Sequence, residues 1–152
     1  MNRYDRQSEI PVILIAEDDP DDRLLIERAF QESGLSGTFL FMKDGEELID
    51  YLFGRKQFAA NEPIKPDCIL LDLNMPKMNG IEFLTIVKAD MTLKKVPVVV
   101  LTTSNQQQDI TECFKLGVAG YMVKSVDYDK FVETIRAVNL YWTISELPSN
   151  GE

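Results

Sequence analysis

The sequence contains no histidine. That absence removes imidazole acid–base catalysis, the commonest transition-metal ligand and any role as a phosphohistidine donor. Cysteine is scarce. Cys68 and Cys113 sit in apolar patterns without metal-ligand spacing, so both are expected to be buried, reduced thiols. Positive charge is in deficit, with 16 Lys and Arg against 25 Asp and Glu and a net charge of −9. Nucleic acid and anionic membrane surfaces are bound through clustered cations, so neither is an expected partner. No apolar run approaches the length of a membrane span. Residues 1–9 lack the apolar core of a signal peptide, and the expected setting is cytoplasmic. Internal repeats and low-complexity tracts are also missing.

What the chain does have is regular alternation. Its 152 residues suit one domain with a sizeable core. Short apolar runs occur at 11–16, where β-branched residues are frequent, and at 68–71, 97–101 and 119–123, with a weaker alternating run at 38–42. Runs of this kind mark strands covered on both faces. Between them lie helical patterns. The first carries Leu24, Leu25, Ile26, Ala29 and Phe30, with Pro20 at its start and Gly34 at its stop. The second carries Leu48, Ile49, Leu52 and Phe53, and the third Ile81, Phe83, Leu84, Ile86 and Val87. A fourth, from about 106 to 116, is anchored by Ile110, Phe114 and Leu116. A last helix runs from about 127 to 144. Residues 54–66 read as a surface loop, longer than most connections. Five strand–helix alternations predict an open α/β parallel sheet with helices on both faces.

In such sheets ligands gather beyond the carboxyl ends of the strands. Glu17, Asp18, Asp72, Thr102 and Lys124 all end or directly follow apolar runs, so topology gathers them on one edge. Two unit charges about 4 Å apart cost on the order of 4 kcal/mol at an effective dielectric of 20. Three carboxylates in one small space therefore ask for a divalent cation, and an oxygen-only site with retained waters suits Mg²⁺. Asp21 and Asp22 are read differently, as acids that favour a helix N-terminus and solvent. Asp72, ending the buried run Cys68-Ile69-Leu70-Leu71, is a candidate nucleophile that attacks an electrophilic phosphorus to form an acyl phosphate. Its alternative role is to cap the turn ahead of the next helix. Lys124 would pair with one phosphoryl oxygen and the Thr102 hydroxyl with another. Taken singly, Lys124 is a solvated strand-end lysine and Thr102 a strand residue chosen for β-propensity.

Taken together, Ile-Ala-Glu-Asp-Asp (15–19), Leu-Leu-Asp-Leu-Asn-Met-Pro (70–76), Asn79-Gly80, Val-Leu-Thr-Thr (100–103) and Gly-Tyr-Met-Val-Lys (120–124) resemble the receiver domain of two-component response regulators. The resemblance covers residues 10–144, leaving tails at 1–9 and 145–152. It implies a flavodoxin-like (βα)5 fold, a doubly wound parallel five-stranded sheet in the order 2-1-3-4-5. It also implies Asp72 as phosphoacceptor and Asp18 as a direct Mg²⁺ ligand. Glu17 would act through water and the Asn74 backbone carbonyl would complete the metal shell. Thr102 and Lys124 match the switch hydroxyl and the phosphate-pairing lysine. Tyr121 matches the aromatic position that rotates inward on activation, its plainer reading being a half-buried strand tyrosine. Within the family, the long 54–66 loop, Lys124-Ser125 and a terminal aromatic helix resemble the small stand-alone regulators encoded with cyanobacterial phytochromes. One departure is Ser125, where proline usually follows the lysine, often across a cis bond. Before a non-proline residue that isomer costs about 3 kcal/mol, and the sequence leaves the isomer open.

The implied partners are a sensor histidine kinase, phytochrome-type by the finer resemblance, and a downstream protein the sequence does not identify. The implied role is a phosphoacceptor signalling protein, not an enzyme. About eight residues follow the last helix, so the output is expected to be a contact with another molecule. On that helix Phe131, Ile135, Val138 and Trp142 form a stripe toward the sheet. Ala137, Leu140, Tyr141 and Ile144 form a second stripe, whose expected cover is a second copy of the chain, with Leu140, Tyr141 and Ile144 as the dimer face. Three rival readings exist. A flavin carrier needs a phosphate cradle where this chain has Glu-Asp-Asp-Pro. An aspartyl phosphatase or phosphotransferase wants a second carboxylate two residues after Asp72, where this chain has Asn74. A receiver-like module that binds without phosphorylation lacks any reason for the full residue set.

Overall fold

The computed structural model describes residues 11–34, 37–60 and 65–138. Within them five parallel strands form one sheet: β1 (Val12–Ala16), β2 (Thr38–Met42), β3 (Cys68–Leu71), β4 (Val98–Thr102) and β5 (Gly120–Val123). Their order is β2-β1-β3-β4-β5. The helices are α1 (Pro20–Glu32), α2 (Gly45–Phe53), α3 (Gly80–Lys88) and α4 (Gln107–Lys115), followed by α5, helical over 128–138 as far as it is described. This is the flavodoxin-like arrangement expected from the alternation and the resemblance.

Every residue of β1, β3 and β4 is buried. Alternate side chains feed two cores, which is why the runs read as continuous rather than alternating. Leu14, Ile69, Leu71 and Val98 pack with Leu48, Phe83, Leu84 and Cys113 from α2, α3 and α4. Ile13, Ile15, Leu70 and Val99 pack with Ile26 and Phe30 from α1 and with Phe131, Ile135 and Val138 from α5. The edge strands β2 and β5 are only partly covered.

Helix starts follow local chemistry. The Asp19 side chain accepts the Asp21 N–H and Pro20 occupies the first helical position of α1. Asp44 caps α2, and Asn79 with Glu82 closes a reciprocal capping box on α3. Gly54 ends α2 in the left-handed region at φ 65°, where a side chain would be strained.

Several local expectations need correction. Leu24 and Leu25 lie on the solvent side of α1, at 54% and 38% exposure, and only Ile26, Ala29 and Phe30 face the core. On α4 the buried anchor is Cys113, while Phe114 is half exposed. One step around a helix is about 100°, so in a run of adjacent apolar residues only those within the inward arc face the sheet. The 54–66 stretch contains a short 3-10 turn at Lys56–Phe58, whose Phe58 ring packs edge-on against Tyr51. On α5, Phe131, Ile135 and Val138 do face the sheet. Leu140, Tyr141, Trp142 and Ile144 lie outside the described residues. No helix among the described residues is long and apolar enough to cross a membrane.

Candidate functional site: an acidic cluster closed by a lysine

Register sets the site. Ala16 pairs with Leu71, so Glu17 and Asp72 leave the two central strands side by side, and the Asp72 N–H donates to the Ala16 carbonyl at 3.2 Å. Thr102 pairs with Val123, and the Lys124 N–H donates to the Thr102 carbonyl at 2.7 Å. Sheet pairing alone thus delivers residues 17, 72, 102 and 124 to one edge.

Glu17, Asp18 and Asp72 each offer a carboxylate oxygen, and these atoms lie within 4.8 Å of one another. Glu17 and Asp72 are buried, whereas Asp18 is open to solvent. Lys124 Nζ donates to Glu17 Oε1 at 2.6 Å, to Asp22 Oδ2 at 3.0 Å and to Asp72 Oδ2 at 3.3 Å. Burial pushes the Glu17 carboxyl above its ordinary range; the hydrogen bond and charge of Lys124 offset part of that, and Asp72 adds to it. Burial alone would lower Lys124. Its bond to Glu17 and the charge of Asp72, with Asp22 behind them, raise it well above the ordinary lysine value.

Both readings of Asp72 have a counterpart in the geometry. Oδ2 faces Lys124, while Oδ1 accepts the Asn74 N–H at 3.1 Å and fixes the loop beyond β3. The Asn74 side-chain amide reaches Thr102 Oγ1 at 3.4 Å, the long end of hydrogen bonding. Behind the loop, a Cβ on Gly80 would meet Leu73 Cα at 2.8 Å and the Asp72 carbonyl oxygen at 3.2 Å. A side chain there has no room.

Thr102 is fully buried. Its Oγ1 lies 3.4 Å from the Ser104 N–H, Ser104 Oγ donates to Asp109 Oδ2 of α4 at 2.6 Å, and the Tyr121 hydroxyl donates to the Ser104 carbonyl at 2.9 Å. Tyr121 is half-buried against the α2–α4 core. A continuous polar chain therefore runs from Thr102 to α4 and β5.

Two contacts escape sequence reasoning. Asp22, assigned to solvent and the helix N-terminus, bonds Lys124 and keeps only 33% of its side chain exposed. Arg23 donates from Nε to the Glu17 carbonyl at 2.6 Å and lies over the Phe41 ring, so it fixes the backbone that carries the acidic pair. The one available signal was a lone arginine directly after a run of acids. The Lys124–Ser125 bond is trans, since no cis peptide occurs among the described residues.

A doubly wound parallel sheet with acids at the ends of its two central strands and a lysine from its edge strand defines a class as well as a shape. The chain belongs to the response regulator receiver domain family, which it matches over residues 13–136. Among its relatives it is 34% identical over 131 residues to the probable methanogenesis regulatory protein FilR2 of Methanothrix harundinacea, covering 86% of this chain and 83% of FilR2. It is 33% identical over 131 residues to response regulator Rcp1 of Synechocystis, covering 86% and 88%. Among solved structures, the phosphorylated cyanobacterial phytochrome response regulator RcpA superposes with a TM-score of 0.80 at 35% identity, over 89% of this chain and 95% of RcpA. A Mn²⁺-bound form of Rcp1 gives 0.78 at 31% identity, over 87% and 94%.

Proposed function

We propose that this receiver takes a phosphoryl group onto Asp72 from a sensor histidine kinase and signals through contacts that depend on it. The observation that carries the proposal is the setting of Asp72: a buried strand-end carboxylate with one oxygen fixed by the Asn74 N–H and the other 3.3 Å from Lys124. The chain has no histidine of its own, so a phosphohistidine donor must be another protein. The relation to RcpA, a phytochrome response regulator, makes a phytochrome-type kinase the first candidate.

The donor set fits a hard divalent cation. Glu17, Asp22 and Asp72 share the single ammonium of Lys124 and Asp18 adds a fourth carboxylate beside Glu17 and Asp72, which leaves negative charge uncompensated in a partly buried space. Glu17, Asp18, Asp72 and the Asn74 carbonyl would hold Mg²⁺. When bound, it neutralises charge on the site and on the phosphoryl oxygens.

An Asp72 oxygen attacks phosphorus, the P–N bond of phosphohistidine breaks as the P–O bond forms, and the leaving imidazole takes its proton from solvent. Lys124 pairs with one phosphoryl oxygen and the Thr102 hydroxyl donates to another. The new charge acts on the Thr102–Ser104–Tyr121 chain, and through Asp109 on α4, altering the α4–β5 surface a partner reads. Water attack on phosphorus then breaks the P–O bond, releases inorganic phosphate and regenerates the carboxylate.

The test is direct. With Mg²⁺ and acetyl phosphate, the wild-type protein should gain the mass of one phosphoryl group, removable by neutral hydroxylamine. Asp72→Asn should gain none while keeping its circular dichroism spectrum. Full labelling of the variant would overturn the assignment.

A further inference from the structure

The ammonium of Lys124 has three N–H donors, and the structure gives each a carboxylate: Glu17 at 2.6 Å, Asp22 at 3.0 Å and Asp72 at 3.3 Å. A phosphoryl group arriving at Asp72 finds no free N–H. Asp72 keeps its carboxylate charge until the P–O bond has formed, so while the phosphoryl group approaches one of the other two acceptors has to leave. Glu17, with 2% of its side chain exposed, would be left as a buried carboxylate held only by the Asp19 N–H at 3.2 Å, the costlier outcome. Asp22 keeps 33% exposure and borders an open groove of about 310 Å³, walled also by Thr103, Lys124 and Ser125. It can turn into water there. As an acid in the first turn of α1, it is favoured by the helix N-terminus with or without the lysine, so the fold does not depend on the contact.

We infer that Asp22 is a positioning residue: it holds Lys124 in the unphosphorylated protein and is the partner exchanged when a phosphoryl group reaches Asp72. This rests on Asp72 being the acceptor. Because the hold stabilises the starting state and is already given up in the transition state, removing it speeds phosphoryl gain and leaves phosphoryl loss nearly unchanged. A partly exposed pair of this kind contributes up to about 1 kcal/mol, which corresponds to an acceleration of about threefold to fivefold.

The experiment compares wild type with Asp22→Asn, Asp22→Glu and Asp21→Asn. Asp21 is an exposed neighbour, and its substitution makes the same charge change away from the lysine. Two readouts are taken. One is the ¹H–¹⁵N signal of the Lys124 ammonium in metal-free, unphosphorylated protein, where the bonded lysine exchanges slowly with water. The other is the rate of labelling by acetyl phosphate with Mg²⁺, followed by the rate of loss once donor is removed. Asp22→Asn should quicken ammonium exchange and raise labelling about threefold to fivefold, with loss changed by less than about twofold. Asp22→Glu should restore the wild-type pattern, and Asp21→Asn should leave the ammonium signal unchanged. Equal acceleration in Asp21→Asn, no acceleration in Asp22→Asn, or an unchanged ammonium signal in Asp22→Asn each overturns the inference. A wild type that never labels sinks the phosphoacceptor reading instead, and the ammonium signal still decides whether Asp22 holds the lysine.

Discussion

Lys124 Nζ lies closer to Glu17 Oε1, at 2.6 Å, than to Asp72 Oδ2, at 3.3 Å. The edge-strand cation is thus shared between the acids that end the two central strands, and its tightest bond goes to the more deeply buried of them.

Removing that cation should cost stability. Lys124→Met leaves Glu17 and Asp72 buried without their positive partner, and breaking a pair in this way costs about 3–5 kcal/mol. Urea unfolding at neutral pH in EDTA should show the loss, and added Mg²⁺ should restore part of it. A variant as stable as wild type in EDTA would mean that the carboxylates are compensated elsewhere.

The pH dependence has a defined sign. Burial raises the Glu17 carboxyl above 4.5 in the folded protein, so the folded state binds its proton more tightly than the unfolded chain does. This group therefore favours folding most below about 4.5 and opposes it increasingly as pH rises through the folded value. Lys124 is also raised, so its contribution is complete below its ordinary value of 10.5 and is lost as pH climbs through the folded one. Metal-free stability measured across pH should show both limbs. Glu17→Gln should flatten the acid-side limb, and an unaltered curve would count against a raised Glu17.

Gly80 should tolerate no side chain. A Cβ there would meet Leu73 Cα at 2.8 Å, a backbone atom that moves only with the loop carrying Asp72 and Asn74. Gly80→Ala is expected to lose about 1–3 kcal/mol and to weaken Mg²⁺ binding by calorimetry, although residue 80 touches no metal. Unchanged affinity would show that the loop yields without disturbing the acids.

The thiols should be nearly inert in the folded state. Burial pushes Cys68 up to about 12 with help from Asp67, and Cys113 up to about 11 with help from Asp109 and Glu112. At pH 8 the thiolate fraction is on the order of one in a thousand or less. Labelling by an aromatic disulfide should therefore follow the unfolding rate. Fast modification of folded protein would contradict the burial of both residues.

The fold was largely legible in the sequence because a parallel sheet covered on both faces writes its strands as unbroken apolar runs, as in Val12–Ala16 and Val98–Thr102. The gathering of Glu17, Asp72, Thr102 and Lys124 was legible for a topological reason: carboxyl ends of parallel strands share an edge. Helix faces were less so. In α1 and α4 adjacent apolar residues left the phase ambiguous, and only packing decides that Ile26 and Cys113 point inward while Leu25 and Phe114 do not. The bond between Asp22 and Lys124 spans 102 positions of sequence. Helix N-terminal preference explained Asp22 well enough to hide its second partner.

Among the described residues β5 pairs with β4 alone, which bears on how long each part of the site endures. The acids stand on β1 and β3, which are hydrogen-bonded along both sides, whereas the cation hangs from a rim secured along one. Local opening begins where fewest ladders must break. Deuterium should enter the amides of 120–123 before those of 13–16 and 69–71, and each such excursion withdraws the lysine while the carboxylates stay assembled. Fraying of the rim therefore exposes a momentary anionic pocket, which is when a cation from solution meets the least competition.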